Sequence, residues 1–136
     1  MLKKTLLSLV ALLTVGLAGV PPVPFTPYAT AVKQIGQGKP VMLEVGAESC
    51  VNCKTMNNIL APIVAKHPQY RIYDIILTSP AVNILDPRPK VSIADKLKVR
   101  AIPAQIFYDA SGKEVYRHTG ILDAGQLNTI FKKLKF

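Results

Sequence analysis

The stretch VMLEVGAESCVNC, residues 41–53, constrains this chain more than any other. Residues 41–46 are apolar apart from Glu44, with no polar alternation, and read as a strand buried on both faces. A strand of that kind needs elements packed on each side of its sheet. Directly after it come both cysteines of the chain, Cys50 and Cys53, two residues apart. A helical pattern then opens and runs to about Lys66, with Pro62 inside it, where a kink is expected.

Three chemistries fit two such cysteines. A zinc site takes about four ligands, and the pair supplies two. His67 lies at the far end of the same helix and His118 on a separate strand, so neither completes the set. Copper(I) accepts two thiolates and stays open as a non-enzymatic copper-binding or delivery module. A structural disulfide would close so short a loop that it gains little chain entropy. Redox exchange fits best. Cys50 stands just before a helix whose first amides lower a thiol pKa, and Cys53 lies one turn in, within reach of it. Attack by Cys50 and release of the mixed disulfide by Cys53 follow from that placement. A Cys-x-x-Cys after a buried strand is the redox form of the motif.

The remaining pattern places further elements around this unit. A short helix is expected from about Pro27 to Ile35, with Thr26 as its cap. Residues 70–77, YRIYDIIL, read as a strand, and 78–91 as a proline-bearing connection or insertion. Ser92, with Asp95 three residues on, caps a short helix. AQIFYD and KEVYRHT flank the turn signal ASG and form a hairpin. Asp123 and Gln126 open a last helix reaching about Lys135. The sum is one domain with a central mixed β-sheet flanked by helices, an α/β fold.

Residues 1–18 read as a secretory signal peptide: a basic MLKK start, an apolar run, and small residues at Gly16–Ala18. An uncleaved anchor is the alternative, although the run falls short of the ~20 residues that span a bilayer comfortably. Residues 19–27 form a Pro-rich leader, and 28–136 the folded domain. The formal charge is +9, and losing Lys3 and Lys4 with the signal takes it to +7. Such a balance raises nucleic acid as a partner. Export and the dispersed placement of the charges argue against it, and only KKLK at 132–135 clusters, where lysines complement a helix dipole.

The segment KPVMLEVGAESCVNCK resembles the active-site region of the thioredoxin family, and LKVRAIPAQIFYDASGKEVYRHTGILDAGQL resembles the family's segment around its cis-proline. Together they cover most of 39–127 in the family's order, and they are similar to exported bacterial thioredoxin-like proteins. The resemblance implies a thioredoxin fold, with Cys50 as nucleophile, Cys53 as resolving thiol and a redox disulfide between them. It implies a cis-proline at Pro103 beside the disulfide, and substrate pairing with the backbone of Ile102. Glu44 falls where the family carries a buried acid, which implies that it takes and returns the proton of Cys53. The chain departs from the family at Ser49, where a large aromatic is usual, and at Val51-Asn52 in place of Gly-Pro. The proline-bearing insertion is also longer than the family's.

The function expected is therefore a periplasmic thiol–disulfide oxidoreductase, most simply one that reduces disulfides. Its clients would be exported proteins with cysteine pairs, and its electrons would come from a membrane or periplasmic donor. No metal or organic cofactor, no nucleic acid and no lasting membrane insertion are expected, and a monomer suffices. Reduction is favoured over a disulfide-introducing oxidant because Val51-Asn52 offers no cationic ring to stabilise a thiolate.

Overall fold

Hydrophobic residues at alternating positions of one central strand meet two separate cores, and the rest of the architecture follows from that. The computed structural model describes residues 23–77 and 92–136. The signal-peptide segment 1–18, the start of the leader and the 78–91 insertion lie outside the described residues. Chain order is α1 (Tyr28–Val32), β1 (Val41–Gly46), α2 (Val51–Lys66), β2 (Arg71–Ile76), α3 (Ile93–Leu97), β3 (Ala104–Tyr108), β4 (Glu114–Thr119) and α4 (Ala124–Lys133). The sheet runs β2-β1-β3-β4, with β1 and β2 parallel and the other pairs antiparallel.

Every residue of β1 is buried. Val41, Leu43 and Val45 face a core made with Ala31 of α1, Leu97 of α3, and Ile75 and Ile106 of the sheet. Met42 faces the opposite core, with Met56 and Leu60 of α2, Leu127 and Phe131 of α4, Ile72 and Phe107. Burial on both sides explains why β1 lacks the alternation of a half-exposed strand. Each fully buried side chain of this size contributes roughly 1.5–3 kcal/mol.

Local signals set the helix ends. Ser92 Oγ accepts from the Asp95 amide at 3.1 Å. Asp123 and Gln126 form a reciprocal capping box, with bonds of 2.8 and 2.9 Å. In the β3–β4 turn, Asp109 Oδ1 accepts from the amides of Ser111 and Lys113. Gly112 has φ +91 there, and a Cβ on it would lie 3.0 Å from the Gly36 backbone.

Two expectations change. Thr26 does not cap α1: Pro27 occupies the cap position and no side-chain cap bond forms. The Thr26 amide instead donates to the Asp74 carbonyl at 2.9 Å. The sheet edge thus holds the chain extended up to the helix. The helix itself stops at Val32, and turns carry the chain through the positive-φ Gly36. Residues 23–27 lie along β2, with Phe25 bridging Asp74 in parallel and Val23 buried in the α2–α4 core. They pack with the elements that follow. Pro62 sits inside α2, which continues to Lys66.

Candidate redox site

The chain leaves β1 at Gly46 and turns through Ala47–Ser49. Cys50 is then the N-cap of α2, in an extended conformation. Its sulfur accepts from the Cys53 amide at 3.2 Å, one of the amides at a helix start that have no partner within the helix. Cys50 and Cys53 are joined by a disulfide, with Cα atoms 5.2 Å apart. Cys50 is half-buried, whereas Cys53 is 5% exposed. Val51 between them is 75% exposed, so the turn presents an apolar side chain beside the outer sulfur.

Gly46 makes room for the inner sulfur. A Cβ built there would lie 3.0 Å from both Cβ and Sγ of Cys53, tighter than most such contacts, so the neighbour would have to give way. Sequence reasoning passed over this glycine; the available signal was a glycine ending an otherwise apolar strand, a mark of close approach by another group.

The Ile102–Pro103 peptide bond is cis. Ala104, the next residue, pairs with Val45, so Pro103 lies at the end of the sheet where β1 delivers the cysteines. Pro103 is buried and Ile102 half-buried. The Pro103 carbonyl accepts from the Gly120 amide at 2.8 Å.

Glu44 is 1% exposed. It precedes Gly46 by two residues, about 7 Å along the strand, on the same face, which α2 covers. Its Oε1 accepts from Gln105 Nε2 at 3.4 Å. Among the described residues its Oε2 has no donor, and neither do Gln105 Oε1 and Asn57 Oδ1. Burial pushes the Glu44 carboxyl up to about 9; the Gln105 bond lowers it in part, and the negative charge of Asp74 adds a smaller push upward. Burial also raises Asp74, which accepts from Asn57 Nδ2 at 3.1 Å.

The structure therefore gathers Cys50, Cys53, Ile102 and Pro103 at one end of the sheet, with Glu44 behind them. Asp74, Gln105 and Asn57, the polar partners of Glu44, were not singled out in the sequence. His67 ends α2 and stacks on Tyr70, with ring centroids 4.6 Å apart. Among the described residues, no group of three or more His, Cys, Asp or Glu side chains could hold a metal ion. No described helix is long and apolar enough to cross a membrane.

The family model for a thioredoxin-like domain matches residues 28–135. The thiol:disulfide interchange protein DsbD of Yersinia pestis is 31% identical over 107 residues, 77% of this chain and 18% of that protein. Its counterpart in Cronobacter sakazakii is 33% identical over 90 residues, 65% of this chain and 15% of that protein. This chain thus spans less than a fifth of these relatives. Among solved structures, Malassezia sympodialis thioredoxin superposes with TM-score 0.64 at 18% identity, covering 87% of this chain and 97% of that one. Fasciola hepatica thioredoxin gives 0.62 at 19% identity, covering 79% and 94%. These likenesses show the thioredoxin fold.

Proposed function

The chain belongs to the thioredoxin-like domain family, and on that premise we propose that it is an exported thiol–disulfide oxidoreductase that reduces disulfides in client proteins through Cys50 and Cys53. One observation carries the reading. The Cys50 sulfur sits at the open N-terminus of α2 and accepts the Cys53 amide, while Cys53 is enclosed behind it. A thiolate at Cys50 is stabilised by the helix start, and only that sulfur is open to a large partner.

In the reduced protein, the Cys50 thiolate attacks one sulfur of a client disulfide. A Cys50–client disulfide forms and the other client sulfur leaves as a thiolate. Cys53 then attacks the Cys50 sulfur, forming the intramolecular disulfide and releasing the second client sulfur. The client gains two electrons and the cysteine pair loses two. A dithiol donor reverses the last state: its thiolate attacks Cys50 and Cys53 departs as a thiolate.

Glu44 suits the proton side of this cycle. At about 9 its carboxyl holds a proton at neutral pH, and its proton affinity lies close to that of an ordinary thiol, about 8.5. Transfer between matched groups has little driving-force penalty. Glu44 gives its proton to Cys53 as that sulfur leaves, and takes it back when Cys53 attacks. The backbone of Ile102, before the cis-proline, is the edge offered to an extended client segment.

The DsbD likeness supports a place in the periplasm, clients with cysteine pairs, and a membrane or periplasmic electron donor. Reduction is supported by Val51-Asn52, which offers neither charge nor a cationic ring to stabilise the reduced pair. Equilibration of the Cys50–Cys53 couple with glutathione tests the direction. The expected potential lies nearer ~−270 mV than ~−120 mV. A value near the upper figure would make the protein an oxidant instead.

A further inference from the structure

One row of polar side chains crosses the whole sheet. Register aligns Asp74 of β2, Glu44 of β1, Gln105 of β3 and His118 of β4 on the face that α2 and α4 cover. The row two residues away on the same face is Ile72, Met42, Phe107 and Tyr116, all apolar or aromatic. An apolar sheet face with a single polar row places its polar groups for a reason other than packing.

Within that row two carboxyls stand side by side, Glu44 and Asp74, 1% and 5% exposed. Adjacent carboxyls in such a setting oppose each other's ionisation, so one tends to keep its proton. The surroundings decide which. Asn57, reaching down from α2, donates to Asp74 Oδ2 at 3.1 Å and favours the charged form there. Glu44 receives only the longer 3.4 Å contact from Gln105, whose amide also serves the Gly120 carbonyl at 3.1 Å. Among the described residues Glu44 Oε2 and Gln105 Oε1 both lack donors, and a proton on Glu44 supplies one. The other groups on this face do not reverse the balance. From α2 come Cys53, Met56 and Asn57; from α4, Leu127 and Phe131; from β4, His118, two strands from Glu44. None of these described residues is a lysine or an arginine.

We propose that Asp74 is a positioning residue for the thiol–disulfide chemistry: held by Asn57, it keeps the proton on Glu44 and sets the pH at which Glu44 exchanges that proton with Cys53. The inference rests on the reading of Glu44 as the proton partner of Cys53, and it adds a residue on a different strand that touches neither sulfur nor client. The charge on Asp74 acts through space on Glu44, and Asn57 determines how firmly that charge is held.

The test uses the full oxidised chain. Carboxyl carbon NMR follows the Glu44 and Asp74 titrations directly. The rate of disulfide reduction by dithiothreitol is measured against pH in parallel. In Asp74→Asn the Glu44 midpoint should fall by about one pH unit, a tenfold change in proton affinity. The inflection of the rate profile should move with it. In a Glu44→Gln background, adding Asp74→Asn should leave the profile where it was. Asn57→Ala keeps both carboxyls and should raise the midpoint of Asp74 itself. An unmoved Glu44 midpoint in Asp74→Asn overturns the proposal. So does an equal shift of the rate profile with and without Glu44. A wild-type pH profile in Glu44→Gln alone would overturn the proton role of Glu44, whereas a moved Glu44 midpoint in the same experiments would still uphold the coupling to Asp74.

Discussion

Replacing Glu44 by glutamine should stabilise the protein, by an amount that grows with pH. In the unfolded chain the carboxyl loses its proton at its ordinary value of 4.5, whereas in the fold it holds it to about 9. Below pH 4.5 both states are protonated and the residue carries no penalty. As pH rises the unfolded state alone ionises, so the fold loses about 1.4 kcal/mol per pH unit until about pH 9. At pH 7 the accumulated loss is about 3 kcal/mol, a sizeable part of the ~5–15 kcal/mol that holds a domain together. Glutamine removes this term and keeps the shape. Protonated Glu44 already offers Gln105 Oε1 a donor, and the glutamine amide takes its place, so the hydrogen-bond term changes little. The ionisation term therefore decides the difference, which is small at pH 4.5 and grows as pH rises. Urea unfolding of oxidised wild type and Glu44→Gln between pH 4.5 and 8 measures the difference. Asp74 is present in both proteins, so its own burial largely cancels in the comparison. Stability curves that run parallel across this range would refute the reasoning, because they would mean Glu44 ionises in the fold as it does in the open chain.

Cys53→Ser should accumulate mixed disulfides with client peptides, since the outer sulfur still attacks and nothing resolves it, while Cys50→Ser should not; equal trapping on non-reducing gels would reverse the assignment. Gly46→Ala should lower the thermal midpoint of the oxidised protein at a cost of about 1–3 kcal/mol, because the new Cβ meets Cys53 at 3.0 Å; an unchanged midpoint would mean the inner sulfur is not confined as described. Asp123→Ala should cost about 1 kcal/mol in urea by opening both halves of the α4 capping box, and no loss would show that the box is dispensable.

What was legible in the sequence was whatever depends on neighbours along the chain. The unbroken apolar run of β1, the cysteine spacing, the capping pairs Ser92–Asp95 and Asp123–Gln126, and the turn at Gly112 each declare themselves within a few residues. The position of Cys50 at a helix start was legible for the same reason. The polar row was not. Asp74 and Gln105 each look like a stray polar residue in an apolar strand, and their meeting at Glu44 depends on the relative register of three strands. A shift of one residue in either pairing would send the partner to the opposite face. Thr26 failed as a cap for a related reason. Its local pattern was sound, yet its amide was claimed by a strand nearly fifty residues later. Gly46 was visible as a glycine, but the atom it admits arrives from the next helix.

The bridge between Phe25 and Asp74 also bears on how these molecules behave in a crowd. A four-stranded open sheet has two borders, and an unpaired border can recruit a strand from another chain. Along β2 the chain lays its own residues, with the Thr26 amide on the Asp74 carbonyl, so part of that border is already occupied. The β4 border is guarded differently. Its pairing with β3 is interrupted by an irregularity between Phe107 and Tyr108, and Arg117, clasped by Glu114 at 2.7 Å, sets paired charges on that strand. The described sheet borders thus offer few places for unintended strand pairing, which favours staying dispersed at high concentration.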